Sequence, residues 1–455
     1  MKFCTAKTLG GMDLARDMTQ GNLAGNLIRF SIPLILSGLL QQLYNWADAF
    51  IVGHVEGELA LGAIGATGVI SNLFVTVITG FTVGLTVQTA QYYGCGERER
   101  MKDVLSTFVL VVGSLFLAAG LLAVWQSGNI LRLMDTPEDL FEIALDYLRT
   151  VLLGVPFLAV YNVYSAVLRG MGDSKAPFFS IIVSAVSNVV LDLLFVGWFR
   201  WGAWGAALAT VLAQGLMTAF LVCYTVRRYA ALRFWIGRRA VNGLELCRGA
   251  ALGVPTAIQS SISSCGGIIL QNFMNGFGTA TVTAITTAYR VDLVMMLPIL
   301  NLGSGISTVA AQNLGAGDIG RARKALSVGL AMETVISLLL TVLMATCGGA
   351  LISMFGVSGE AEEIGRQFFR SIAGFYLAFG LSTALRGYLE GIGDLLFTSM
   401  ASIAALGLRI LLSYGLAEPC GMMIIAYAEG VSWIVLVLVN LARYAWKRRS
   451  VVTIS

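Results

Sequence analysis

The sequence predicts an all-α membrane protein with twelve transmembrane helices in two six-helix lobes related by an internal parallel repeat. Three observations lead there: charge is scarce, apolar runs are long enough to cross a bilayer, and motifs recur at one fixed spacing. Of 455 residues, 57% are hydrophobic and 12% charged, whereas soluble domains carry about 25% charged residues. Mean hydropathy is +0.79. Residues 104–131, 201–226 and 249–289 contain no Asp, Glu, Lys or Arg. A helix crosses the hydrocarbon with about 20 apolar residues. The first two runs therefore hold one span each, and the third holds two, divided at Asn275-Gly276-Phe277-Gly278.

In chain order, spans are expected at 31–53, 60–92, 104–125, 145–168, 176–197 and 201–226, then at 250–274, 279–308, 325–347, 364–388, 395–417 and 421–443. Two are long enough to tilt or to extend past the bilayer. Lys and Arg set the orientation, because they are retained on the cytoplasmic side. With both termini inside, inner segments take 23 of the 30 basic residues, among them Lys2, Lys7, Arg16, six arginines from Arg227 to Arg248, and Arg443 to Arg449. Outer segments take only Arg132, Arg149, Arg200, Arg366 and Arg370, while acidic clusters such as Glu360 to Glu363 lie outside. One span more or fewer would scramble that alternation. The expected organisation is a cytoplasmic segment (1–30), an N-terminal lobe (31–226), a basic linker (227–249), a C-terminal lobe (250–443) and a cytoplasmic tail (444–455).

Several classes drop out. The net charge of +4 sits beside membrane segments, so no nucleic-acid partner is expected. Residues 1–30 lack an apolar h-region and a cleavage site, so no signal peptide is expected, and Cys4 has no h-region before it. The seven cysteines contain no CxxC pair and are read as small packed hydrophobes. A lone His54 makes no metal cluster. No Walker A pattern, HExxH or nucleophile elbow occurs, so neither an enzyme nor an ATP-driven pump is expected, and no cofactor.

The repeat has an offset of about 221 residues. Gly84 to Leu105 aligns with Gly305 to Leu326, pairing Gln91 with Gln312, Gly94 with Gly315 and Gly96 with Gly317. Leu168-Arg-Gly-Met-Gly-Asp173 aligns with Leu389-Glu-Gly-Ile-Gly-Asp394, and Pro33 pairs with Pro255 after a one-residue gap. Gly170 and Gly172 are read as a tight turn. Six spans per half place both copies in the same orientation, an arrangement suited to alternating access.

Ionisable groups inside spans are costly and therefore mark function. Asp48 lies in the first span and Asp192 in the fifth; Asn188, four residues earlier, shares a helix face with Asp192. Thr210, in the sixth span, can supply another oxygen. At the repeat offset, Asp48 maps to Leu270, Asn188 to Arg409 and Asp192 to Ser413. The acidic cluster is thus expected in the N-terminal lobe alone, with an arginine opposite it in the other. Such oxygens suit either a proton or Na⁺. Arg290 and Asp292 in the eighth span point about 200° apart and suit either a substrate cavity or a structural ion pair.

Pro33 to Gly65, with Asp48-Ala-Phe-Ile-Val-Gly53 and Ala63-Ile-Gly-Ala66, resembles the multidrug and toxic compound extrusion (MATE) family. So do Gln312-Asn-Leu-Gly-Ala-Gly317 and Arg169-Gly-Met-Gly-Asp173; the likeness covers about residues 15–445. It implies two six-helix lobes forming a V, and export of small organic, often cationic, compounds against H⁺ or Na⁺. One branch holds a cation in the N-terminal lobe, and the residues matching that site are Asp48, Asn188, Asp192 and Thr210. Pro33 matches a helix-1 bend, and Gln41, Tyr147 and Asn162 match polar positions lining that lobe's cavity. The site another branch carries in helices 7 and 10 is not expected, since helix 7 offers Gln259 and helix 10 no central carboxylate. The resemblance further implies a multi-pass inner-membrane protein working as a monomer among lipid. A flippase for a lipid-linked or amphiphilic substrate is the alternative.

Overall fold

A computed structural model describes residues 17–233 and 240–452; the readings made on Lys2, Cys4, Lys7, Arg16, Arg238 and Arg239 fall outside them. All regular structure among the described residues is helical. In the first half α1 (Leu23–Glu56), α2 (Glu58–Cys95) and α3 (Arg98–Leu133) are followed by α4 (Glu138–Leu152), α5 (Val155–Gly170), α6 (Lys175–Asp192) and α7 (Gly202–Arg228). In the second, α8 (Gly243–Asn275), α9 (Thr279–Met295), α10 (Leu297–Gly315) and α11 (Ile319–Ser353) precede α12 (Glu360–Ala373), α13 (Tyr376–Gly391), α14 (Leu395–Gly415), the short α15 (Ala417–Cys420) and α16 (Ile424–Val452).

Nine helical segments of the described residues are long and apolar enough to cross a bilayer, α4 and α5 counting as one. The pairs α9–α10 and α12–α13, bent by 43° and 53°, make eleven. Pro298 at the start of α10 lacks the N–H that would continue α9, and Gly374 separates the other pair. The twelfth unit is α8. Its 33 residues extend about 50 Å at 1.5 Å per residue, but Gln259, Ser260, Ser261, Ser263 and Ser264 dilute its hydropathy.

Two compact units emerge: residues 36–257 form one, and residues 18–35 with 258–452 the other. These boundaries differ from the expected 31–226 and 250–443, because each leading helix changes unit partway along. In the first unit the start of α8 packs on α2 and α3. The Thr256 hydroxyl donates to the Gly80 carbonyl at 2.6 Å, Glu245 accepts from Tyr92 at 2.6 Å and from Gln88 at 2.8 Å, and a Cβ on Gly84 would lie 2.4 Å from Gly253 N. In the second unit the start of α1 packs on α10: Ser31 donates to the Asn301 carbonyl at 3.3 Å, while Leu27 and Phe30 join a buried core with Leu302, Ile306 and Leu385. Pro33 and Pro255 stand within three residues of the two crossing points.

The repeat is structural as well as textual. Gly96 and Gly317 both close a helix with left-handed φ, 74° and 82°, and Gly172 and Gly393 do so at 86° and 89°, a conformation glycine adopts without Cβ strain. Gly170, expected in the turn, instead ends α5 against α2, where a Cβ would lie 2.8 Å from the Thr86 carbonyl. The two aspartates beyond these turns have diverged. Asp173 accepts from Tyr229 at 2.7 Å and from the backbone of Ala176, whereas Asp394 accepts from Arg443 at 2.8 Å and pairs with Lys447 at 3.2 Å.

The cysteines do not pack as expected. Cys223, Cys247, Cys265, Cys347 and Cys420 are exposed and Cys95 is intermediate. In an apolar span a small thiol suits an outward-facing helix surface as well as an inward one.

Candidate functional site

Within the first unit, α1, α4, α6 and α7 bring polar side chains together. The carboxyl groups of Asp48 and Asp192 approach each other within hydrogen-bonding reach. Asp48 Oδ1, both Asp192 oxygens and Asn188 Oδ1 are buried without a partner among the described residues. Asp192 is fully buried and Asn188 nearly so. The Asn188 amide reaches the Thr210 hydroxyl at 3.5 Å, a long contact that leaves its oxygen free to accept. The spacing explains the geometry: Asn188 and Asp192 are one helical turn apart and present one face. Immediately after Asp192 the helix widens into a π-turn, Leu193–Trp198, a distortion that recurs at functional sites.

Tyr147 lies within electrostatic reach of both carboxylates. Tyr44, one turn before Asp48, is close to Asp48 and hydrogen-bonds Gln41; the sequence reading passed over it. Tyr44 is recognisable only by the i, i+4 step to Asp48. Asn162 is buried, and its amide donates to the Leu158 carbonyl of its own helix at 2.8 Å. Pro33 lies within α1 but belongs to the other compact unit.

The second unit corrects the expectation that acidic groups are buried in the first half alone. Asp292, Glu333 and Glu429 are all buried. Arg409, at the repeat position of Asn188, forms a 2.8 Å ion pair with Glu429, and Tyr289 hydrogen-bonds both. Ser413, at the position of Asp192, merely donates to the Arg409 carbonyl. Asp292 accepts from Tyr376 at 2.5 Å, while Arg290 is exposed, so these two residues are not brought together. The contrast lies in compensation: Glu429 has a cation and Asp292 a hydroxyl, whereas Asp48 and Asp192 have only each other.

Two like charges about 4 Å apart repel by about 4 kcal/mol at an effective dielectric near 20, and burial withholds the water that would screen them. A monovalent cation shared by the pair removes that cost. The oxygens present fit one: a proton held between two carboxyl groups, or a desolvated Na⁺ with Asn188 and Thr210 as further ligands.

A bundle of this kind, a duplicated set of apolar helices with an uncompensated acidic pair in one half, is that of a multi-pass membrane transporter. The chain belongs to the MatE family, whose model matches residues 33–194 and again 255–415, one match to each half of the repeat. It is 30% identical to the probable multidrug resistance protein YpnP of Bacillus subtilis, over 84% of this chain and 85% of that one. To the probable multidrug resistance protein YoeA of the same organism it is 27% identical over 93% and 94%. The solved outward-facing conformation of a multidrug resistance MATE family transporter superposes with a TM-score of 0.88 at 19% identity, over 99% and 100% of the two chains.

Proposed function

We propose that this protein is a secondary active exporter of small organic, often cationic, compounds, driven by protons entering at the Asp48–Asp192 pair. The observation that carries the reading is that a buried carboxyl group, Asp192, meets a partly buried one, Asp48, with no donor between them. A proton arriving from outside neutralises the pair; its departure inward restores a negative charge that favours a cationic substrate. Asp48 and Asp192 hold the proton, Asn188 and Thr210 supply polar contacts beside it, and Tyr147 and the Tyr44–Gln41 pair supply hydroxyl and amide groups around it. The named relatives, probable multidrug resistance proteins, support the substrate class. The protein sits as a monomer in the inner membrane with both termini cytoplasmic, surrounded by lipid and without a nucleic-acid partner. A lipid-linked flippase is less well supported, because Arg409 is neutralised by Glu429 and offers no free cation to a headgroup phosphate.

Proteoliposomes loaded with a fluorescent cationic drug, under separately imposed pH and Na⁺ gradients, test the proposal. Drug movement against its gradient under the pH gradient alone is expected. Movement driven only by Na⁺ would replace the proton with sodium, and movement with neither gradient would remove antiport altogether.

A further inference from the structure

One buried carboxylate belongs to neither network. Glu333 lies near the midpoint of the 35-residue α11, about 21 Å along the helix from Ile319 at 1.5 Å per residue, too far for its short side chain to reach an interface. It is fully buried, and both carboxyl oxygens lack any hydrogen-bond partner among the described residues. Ser337, one turn on and on the same face, is equally buried, and its hydroxyl is also unpartnered. The first turns of α13 lie directly over them: a Cβ on Gly380 would sit 2.1 Å from Ser337 Oγ and 3.3 Å from the Glu333 carbonyl.

No charged group acts on Glu333 from the elements packed around it. From α10 there is no ionisable side chain. On α13, Tyr376 is bound to Asp292 and Arg386 to Glu390, and Tyr388 meets Tyr444 edge to face. On α12, Arg366 is held by Glu362 and Glu363, with Glu360 and Arg370 on the same helix. On α9, Asp292 and Tyr289 are engaged elsewhere and Arg290 is exposed.

The repeat shows that the architecture does not need a carboxylate here. At the same offset, Glu333 corresponds to Val112, Ser337 to Phe116 and Gly380 to Ala159, a buried apolar trio in the other half. Three positions differ together between the halves, each apolar in the first and creating or accommodating a polar pocket in the second. Two carboxyl oxygens and one hydroxyl are too few to replace the hydration shell of a metal cation, but a single buried carboxyl group suffices to hold one proton.

We infer that Glu333, with the Ser337 hydroxyl one turn on along the same face, is a second proton-binding site of the transporter, loaded and emptied once per cycle. The inference rests on the antiport reading, and its failure can be told apart from the failure of that reading. Full-length protein in lipid nanodiscs is mixed with saturating fluorescent cationic drug in weak buffer, and a pH-indicator dye counts protons released. Wild type is compared with Glu333→Gln, which keeps the shape without the proton, and with Asp48→Asn. Glu333→Gln is expected to release about one proton per chain fewer than wild type, Asp48→Asn removing a separate share. Infrared difference spectra should lose a protonated-carboxyl band in Glu333→Gln, and that band should fall in wild type when drug binds. Equal proton counts in wild type and Glu333→Gln, or a carboxyl band unmoved by drug, would overturn the inference by making Glu333 a static neutral acid. An unaltered Asp48→Asn count with a reduced Glu333→Gln count would instead sink the pair while leaving this site standing. Drug binding by fluorescence anisotropy shows that each variant is folded; if Glu333→Gln fails it, Ser337→Ala is read in its place and should weaken the proton-dependent band shift.

Discussion

Asp48→Asn separates coupling from folding. In the proposed mechanism the two carboxyl groups share one exchangeable proton, so each cycle spends one proton's worth of gradient at this pair. A pH difference of one unit is worth about 1.4 kcal/mol per proton, which sustains about a tenfold ratio of drug across the membrane. When one proton exchanges for one singly charged drug, no net charge moves and the membrane potential drops out. Two units of imposed pH difference should therefore support about a hundredfold accumulation through this pair in wild-type proteoliposomes, and further protons would raise that limit. The Asn side chain keeps the size of Asp48 while its amide can donate to Asp192, a charge-assisted hydrogen bond worth about 1.5–3 kcal/mol. Asp48→Asn should consequently melt no lower than wild type in detergent, yet leave the drug ratio near unity under the same gradient. Gradient-driven accumulation by a well-folded Asp48→Asn protein would refute the acidic-pair mechanism.

Other consequences are testable by stability alone. Arg409→Met strands Glu429 as a buried charge and should cost about 3–5 kcal/mol, whereas the double change Arg409→Met with Glu429→Met should recover most of the melting temperature. Gly84→Val places atoms where the Gly253 backbone runs and should destabilise by at least the 1–3 kcal/mol typical of overpacking, seen as a lower thermal midpoint. Burial opposes ionisation of Asp394, but hydrogen bonds and charge from Arg443 and Lys447 outweigh it and hold the carboxyl below its ordinary range. A depressed folded-state value contributes stability that is complete above the unfolded value near 4 and is lost as pH falls through the folded one. Asp394→Asn should flatten the melting profile in that acid window.

Much of the fold is written in one-dimensional pattern. Charge-free runs and glycine turns mark the spans because lipid forbids unpaired backbone, and the turns recur in both halves with the same left-handed geometry. The pairing of Asp48 with Asp192 rests on a motif, since nothing local says which faces of two distant helices converge. Glu429 and Glu333 escape notice for a plainer reason: each is a single acid inside a long apolar stretch, and averaging over the stretch hides it. Comparison with Val112 exposes Glu333, because the duplicated half supplies a reference for what packing alone requires. The unit boundaries are harder still, since a continuous helix shows no break where its contacts change owner.

That change of owner bears on the ancestry of the chain. Each compact body borrows its opening segment from the far half of the polypeptide, with a proline marking the point of exchange in both. If the gene arose by fusing two copies of a six-span precursor, that precursor was already an intertwined parallel dimer, each subunit lending its first half-helix to its mate. Fusion would then have altered only the linker, tethering a pre-existing exchange, and half of the present chain expressed by itself would lack the strap that closes it.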